Sequence, residues 1–510
     1  MLTIRINSLF FFFCIVLSIG VYAQDFGFGF DDDAGEAASG LPVSVKIGGE
    51  ISVELAGYVY DFSSREKMKD ASLGDIVSGA LNFSAAGANA DAYIVLDLSA
   101  SSFKDLINYN PGNSVYTPII LDEAYLRAFF GPVNIEAGLR KLTWGKADSL
   151  GPLDVINPLD YTDLRKMDDL QAIKITRPLV HVSWNTGDFS KLEAVFIPNF
   201  AGNRYARGGR WMPSQFKDYQ GMIKSELMNQ ARGNGNWNPS ELDVLLKLSP
   251  VLETRLFDYY QDILGGSLTR GLEYFQTGLR FTGTVGSSDI GVQYFYGNLF
   301  RPDFTGTGID AFLSELKSKI DFDPLSPSLG NVDLSILSPL KYTRYHQIGF
   351  DYAQVLFSFN IRAEFAVHLT EDMKGRDGST RNPFLAWSLG FDRDIVWGMN
   401  ANVQCNETIR LMNDGVGNNP LFDCEAGTRI TFTRMTVKLS KKFLKDEFEC
   451  KVITLWGIED RDCYIIPSVT WNIRDITAEL SSGVFAGRES GEFGQFWNNS
   501  FVRLGMKYTF

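Results

Sequence analysis

The last ten residues, FVRLGMKYTF, alternate without a break. Val502, Leu504, Met506, Tyr508 and Phe510 fall on one side, and Arg503, Gly505, Lys507 and Thr509 on the other. A period of two belongs to an extended strand, whose successive side chains point to opposite faces. The stretch Phe357 to Leu369 repeats the pattern, setting Phe357, Phe359, Ile361, Phe365 and Val367 against Ser358, Asn360, Arg362, Glu364 and His368. That run is long for a soluble strand, whereas a tilted membrane strand needs about 9–11 residues. Val133, Ile135, Ala137 and Leu139 alternate with Asn134, Glu136 and Arg140, and Ile476, Ala478 and Leu480 with Thr477, Glu479 and Ser481. Near Arg434 the phase slips, from Ile430 and Phe432 to Met435, Val437 and Leu439, and a bulge there is the simplest account.

The amino terminus predicts export. Arg5 precedes the apolar run Leu9 to Tyr22, and Val21-Tyr22-Ala23 stands before Gln24. This is the layout of a secretory signal peptide, cut after Ala23. Acylation at Cys14 is the competing reading, but a cut there leaves too little apolar core upstream. Beyond Gln24 no stretch is both apolar and uncharged for the length that a helical span needs. An exported chain of this kind is either soluble or a closed β-barrel. The composition, 45% hydrophobic and 13% aromatic with 39 Phe, is too apolar for disorder. A net charge of −13 repels phosphate and excludes a general nucleic-acid binder.

The connections alternate too. Gly131-Pro132, residues 185–188, 286–289, 392–394 and 472–475 are short turns, whereas 145–172, 203–272, 301–343, 371–381, 406–427 and 488–498 are long. Short turns at one end and long loops at the other fit an outer-membrane barrel. About eighteen strands are predicted, starting near 44, 76, 90, 118, 133, 173, 189, 273, 290, 343, 357, 382, 395, 428, 446, 463, 475 and 499; sixteen stays open. The expected fold is all-β: a transmembrane antiparallel up-and-down barrel over 44–510, behind a signal peptide (1–23) and a periplasmic segment (24–43). Helical segments are expected in two long loops, one opening at Asn238-Pro239-Ser240-Glu241 and one over Ile309 to Ile320.

The carboxyl-terminal residues Leu504, Met506, Tyr508 and Phe510 resemble the closing strand of bacterial outer-membrane proteins. The resemblance implies recognition by the barrel-assembly machinery. A second stretch, Arg140 to Asp160 (RKLTWGKADSLGPLDVINPLD) followed by Phe189 to Phe200, resembles an uncharacterised porin-like family of Gram-negative outer-membrane proteins. It implies a large solute-conducting barrel in the outer membrane.

No H-E-x-x-H, G-x-S-x-G, P-loop or paired C-x-x-C occurs, and neither enzyme activity, a cofactor nor a metal is expected. His346 and His368 flank a turn near Leu356 and could meet across a hairpin; wall or rim histidines are the plainer account. If the apolar faces meet lipid, Glu136, Arg140, Arg362, Glu364, Glu479, Arg503 and Lys507 line the lumen, to steer solutes or to brace the wall with ion pairs. Asp148, Asp154, Asp160 and Asp163 lie in a loop that would narrow the lumen and favour cations if it folds inward; a solvated external loop is the alternative. Arg204, Arg207 and Arg210 form a basic cluster in the longest link. A Cys405–Cys424 bridge would close a surface loop and add about 3 kcal/mol by the chain-entropy model. The expected function is diffusion of small polar solutes through a charged, water-filled lumen. The alternatives are a carrier of hydrophobic molecules with a plugged lumen, and an adhesin or receptor displaying its loops. Expected partners are outer-membrane lipid, the assembly machinery and small solutes; homo-oligomerisation stays open.

Overall fold

The computed structural model describes residues 43–64, 67–70, 74–100, 119–206, 208–233, 235–264, 271–303, 308–323, 325–336, 342–417 and 423–510. The expected signal peptide, Cys14, Arg207 and nearly all of the 24–43 segment lie outside them. Eighteen strands form one sheet that closes on itself. In chain order they are β1 (Val43–Tyr58), β2 (Gly74–Gly87), β3 (Ala90–Ala100), β4 (Ile119–Phe130), β5 (Val133–Arg140) and β6 (Arg177–Gly187). Next come β7 (Ser190–Ile197), β8 (Gln276–Val285), β9 (Ser288–Asn298), β10 (Arg344–Leu356), β11 (Phe359–Thr370) and β12 (Phe384–Asp394). The last are β13 (Met399–Arg410), β14 (Thr431–Phe443), β15 (Phe448–Gly457), β16 (Asp462–Ile473), β17 (Ile476–Gly487) and β18 (Phe501–Thr509).

Every neighbour is antiparallel, and β18 returns to pair with β1, Glu50 opposite Thr509 and Tyr58 opposite Phe501. The seam is finished by two backbone bonds between Gly49 and Phe510, at 2.8 and 2.9 Å. A closed sheet has no unpaired edge, the condition for crossing a bilayer with strands. The start of β1 and the end of β18 lie at the same end as the short turns. The strand expected near 173 starts at Arg177, because Ile173 and Lys174 are still buried in the preceding loop.

The two faces separate as the alternation predicts. Val502, Leu504, Met506 and Tyr508 are exposed on the outside, while Phe501 and Arg503 are buried inside. Phe359 and Phe365 likewise face outward, and Glu364 and His368 inward. Exposed Phe130, Phe189, Phe357 and Trp397 collect at the short-turn end. At the long-loop end an outer cluster joins Tyr294, Tyr296 and His346, with Tyr294 Oη 2.7 Å from His346 Nδ1. Aromatic residues at both rims of an apolar band are what membrane interfaces favour.

The slip at Arg434 is not a bulge. β14 pairs continuously from Thr431 to Lys441 with β13. Ile430 precedes the strand, and Phe432 shares the inner face with Arg434, whose guanidinium lies 5.5 Å from its ring centre. The register does shift between Val95 and Leu96, leaving Asp122 as the extra residue on β4. That bulge turns Asp122 inward together with its neighbour Glu123, and both reach Lys141.

Among the described residues three α-helices occupy the long links: α1 (Ser214–Gly233), α2 (Pro239–Leu264) and α3 (Ile309–Lys319). Asn238 and Glu241 cap α2 reciprocally, each side chain accepting the other's backbone N–H at 2.9 Å. Leu245, Leu248, Leu252 and Leu256 of α2 pack with Leu227 and Ala231 of α1 and Phe312, Leu313 and Leu316 of α3. The helix α1 was not expected from the sequence, because its apolar positions are sparse.

Candidate functional site: a lumen crossed by one loop

After β5 the chain does not leave the barrel. Residues 141–176 turn inward, and Asn157 closes the neck of this segment. Its amide donates to the carbonyls of Arg140 and Ile175 at 3.2 and 2.9 Å and accepts the Leu142 N–H at 2.8 Å. Trp144 then packs edge-on against Phe295, with ring centres 6.5 Å apart. Gly278 makes room for it: a Cβ there would sit 2.8 Å from the indole.

Residues 145–153 are stitched to the far wall. Glu364 of β11 accepts backbone N–H groups from Lys146, Ala147 and Leu153, the last two at 2.7 and 3.3 Å. Gly145 and Gly151 let the backbone wrap this carboxylate, since a Cβ at either would lie within 2.4 Å of it. Gln404 of β13 accepts from the N–H groups of Asp148 and Ser149 at 2.9 and 3.0 Å. Gln293 of β9 and Gln347 of β10 donate to the carbonyls of Leu153 and Pro152 at 3.0 and 2.7 Å. Asp148 meets the Arg362 guanidinium and takes the Asn402 amide at 2.8 Å. Further on, the carbonyls of Leu164 and Arg165 accept from Tyr464 of β16 and Arg503 of β18, at 3.0 and 3.1 Å. A segment rooted in β5 that touches β9, β10, β11, β13, β16 and β18 crosses the lumen.

The wall charges come in pairs. Glu136 holds Arg127 at 2.6 Å, the Arg140 guanidinium, and His181 Nδ1 at 2.9 Å; His181 Nε2 is 3.1 Å from Glu193. Asp351 holds Arg280 at 2.5 Å, and Lys146 lies 3.7 Å away. Arg503 binds Glu479 at 2.9 Å and Asp168 at 3.1 Å, and Lys507 binds Glu50 at 3.2 Å. The loop acids are paired as well. Asp154 meets Lys174 at 2.7 Å, Asp163 meets Arg165 at 2.6 Å, and Asp160 lies 3.8 Å from Arg204. The seven inward-facing charges and the four loop acids singled out from the sequence thus share one compartment, largely as compensated pairs. The amides of Asn157, Gln293, Gln347, Asn402 and Gln404 were missed. A neutral amide carries no charge signal; only the inward phase of the strand could have flagged the four on the wall, and Asn157 lies in the loop with no such phase.

On the side of β15–β18 the outer half of the lumen is apolar. Tyr464 and Phe485 stack at 4.1 Å, and Leu164, Met167 and Trp211 from the loops join Tyr58, Leu455, Ile466 and Phe501. At the short-turn mouth a cavity of about 320 Å³ is lined by polar side chains such as Asn360, Asp392 and Asn400.

One expectation, the disulfide, is corrected. Cys405 and Cys424 are unbridged, as are Cys450 and Cys463. Cys405 alternates with inward Gln404 and Asn406 and so faces outward, opposite Leu389 and Met435, whereas Cys424 lies in a loop and donates its N–H to Gly378. Burial pushes the Cys424 thiol up to about 12, Asp303 adding to the shift and Arg381 opposing it. His346 and His368 do not meet: they pair with Leu369 and Gln347 and point to opposite faces. The basic cluster disperses, Arg204 toward Asp160 and Arg210 onto Asp61.

No family model matches the chain, and no curated protein matches it in sequence. Solved structures resemble it in fold. OccAB4 of Acinetobacter baumannii is 9% identical, over 91% of this chain and 98% of that one, with a TM-score of 0.45. A BenF-like porin from Pseudomonas fluorescens Pf-5 is 8% identical, over 91% and 98%, with a TM-score of 0.45. The outer membrane channel DcaP of Acinetobacter baumannii is 11% identical, over 94% and 99%, with a TM-score of 0.38.

Proposed function

We propose that the chain is an outer-membrane channel that passes small polar solutes by diffusion, with residues 141–176 forming its constriction. The observation that carries this reading is the placement of charge. Glu136, Arg362, Glu364, Glu479, Arg503 and Lys507 all stand on the inner wall, while the outer wall carries an apolar band. An Arg or Lys against hydrocarbon at mid-depth costs about 2–4 kcal/mol, so the arrangement needs a lumen that is wet or internally paired. Lys507 and Glu50 keep 44% and 41% of their side-chain surface, which leaves them open to solvent at the short-turn end. The compensated wall favours polar solutes of either sign over strong ion selectivity.

A lumen filled by apolar side chains would instead suit a carrier of hydrophobic molecules, and the Tyr464–Phe485 cluster is the observation in its favour. That cluster occupies one side of the outer half, whereas Gln293, Gln347 and Gln404 keep the opposite side polar.

Proteoliposomes holding the purified protein are expected to swell in isotonic solutions of small sugars and amino acids. Absence of swelling with folded protein contradicts the proposal. Glu364→Ala removes the acceptor of three loop N–H groups, and bonds to a charged acceptor contribute about 1.5–3 kcal/mol each. The freed segment is expected to raise the swelling rate and the size limit; an unchanged limit would remove residues 145–153 from the constriction.

The closing strand supplies a further proposal, that Phe510 is read during assembly. Deleting it is expected to cut insertion into the outer membrane of cells to a small fraction, while refolding in detergent survives because the rest of the β1–β18 ladder remains. Normal insertion of the truncated chain would refute this.

A further inference from the structure

At the long-loop mouth three connections meet above the end of β1: residues 59–64, the stretch 208–213 before α1, and the 488–500 link between β17 and β18. They line a half-open cavity of about 380 Å³. We propose that this cavity binds a small neutral hydroxylated solute of the sugar or polyol type.

Charge is the first argument. Asp61 and Arg210 are the charged residues of the lining, and they are bonded to each other. The Arg210 guanidinium also lies 4.2 Å from the ring centre of Tyr58. A charged solute would have to break this pair, leaving one partner uncompensated.

Asn499 keeps an amide oxygen, and Asn498 and Gln495 keep amide N–H groups, that no hydrogen bond among the described residues occupies, so the wall offers an acceptor and donors, the combination that a hydroxyl group matches, because it too gives and takes a hydrogen bond. The wall is held in place before any solute arrives. Gln495 accepts from Ser214 N–H and Oγ at 2.7 and 3.1 Å, and donates to the Glu492 carbonyl at 3.0 Å. Asn499 donates to the Arg210 carbonyl at 2.8 Å. The Asn498 amide oxygen is buried in the wall and has no hydrogen-bond partner among the described residues, which leaves its Nδ2 as the group that a solute can meet.

The apolar part of the lining has the right form as well. Tyr60 is fixed edge-on by Trp497, with ring centres 5.2 Å apart at 86°, and buried Phe496 and Met212 form part of the wall. Lys67 Nζ lies 3.5 Å over one face of the Tyr60 ring, so it is the opposite face that would take the C–H side of a sugar ring while the amides take its hydroxyls. The volume falls within the range of about 300–1,000 Å³ typical of small-molecule sites.

This inference stands apart from the channel reading, since a sealed barrel would carry the same cavity. The test is calorimetric titration of the folded full-length protein in detergent with sucrose and glycerol, and with sodium glutamate and lysine hydrochloride at equal ionic strength. Saturable millimolar binding of sucrose is expected, with none for the two charged probes. Tyr60→Ala and Asn498→Leu should each weaken it by about tenfold or more. Should Tyr60→Ala not fold, Asn498→Leu decides, because Asn498 is only half-buried. Failure of both neutral probes to bind, equal binding by the folded variants, or tighter binding of a charged probe overturns the proposal.

Discussion

Arg503→Ala is expected to destabilise the folded barrel by about 3–5 kcal/mol, the usual loss when one partner of a buried charge pair is removed. The guanidinium retains 8% of its surface and holds together three parts of the molecule. It bonds Glu479 of β17 at 2.9 Å, Asp168 of the crossing loop at 3.1 Å and the Ser481 hydroxyl at 2.9 Å, and stands 3.8 Å from Glu54 of β1. Alanine leaves Glu54, Glu479 and Asp168 without the cation they share. Lys507→Ala is the control on the same strand. Its pair with Glu50 is 44% and 41% exposed, and such pairs contribute about 0–1 kcal/mol. Urea unfolding in lipid vesicles compares the two. Equal losses would mean that the Arg503 cluster is as well solvated as the rim pair.

The second large effect is on the outer face. Phe365 stands opposite Phe350 and Trp387 in the middle of β11. Phe365→Arg puts a guanidinium into hydrocarbon and is expected to cost about 2–4 kcal/mol. Arg362→Ala on the same strand removes a half-exposed pair with Asp148 and should cost no more than about 1 kcal/mol, while loosening the loop. The pair of variants separates the two faces of one strand. If Arg362→Ala proved the more damaging, the assignment of inside and outside would be reversed.

Much of this architecture was legible in the sequence because a membrane strand is constrained at every residue. Lipid on one side and a polar lumen on the other force a period of two, and Phe357 to Leu369 keeps it. The errors came where that constraint lapses. At Ile430 and Phe432 one residue lies before the strand and the other turns in beside Arg434, so the apparent slip needs no bulge. The real bulge at Asp122 was invisible because it aligns two acids on the same side, and no apolar residue betrays it. The cysteine pairing failed because closeness along a loop says nothing of which face of a strand Cys405 occupies. Whether residues 141–176 fold into the lumen or stand outside stayed open in the sequence. It depends on backbone groups of the loop meeting Glu364 and neutral amides on strands some two hundred residues away. Asn157 was in view within the segment resembling a porin-like family, yet its role at the loop's neck emerges only from the two carbonyls it bridges.

The proposed channel is a greasy cylinder with a wet, charged interior. Single-channel recording in planar bilayers decides whether solutes traverse it. The wild-type protein should give ohmic conductance steps, and Glu364→Ala should enlarge them. A barrel that is folded and inserted but electrically silent, in both the wild type and the Glu364→Ala variant, would contradict it.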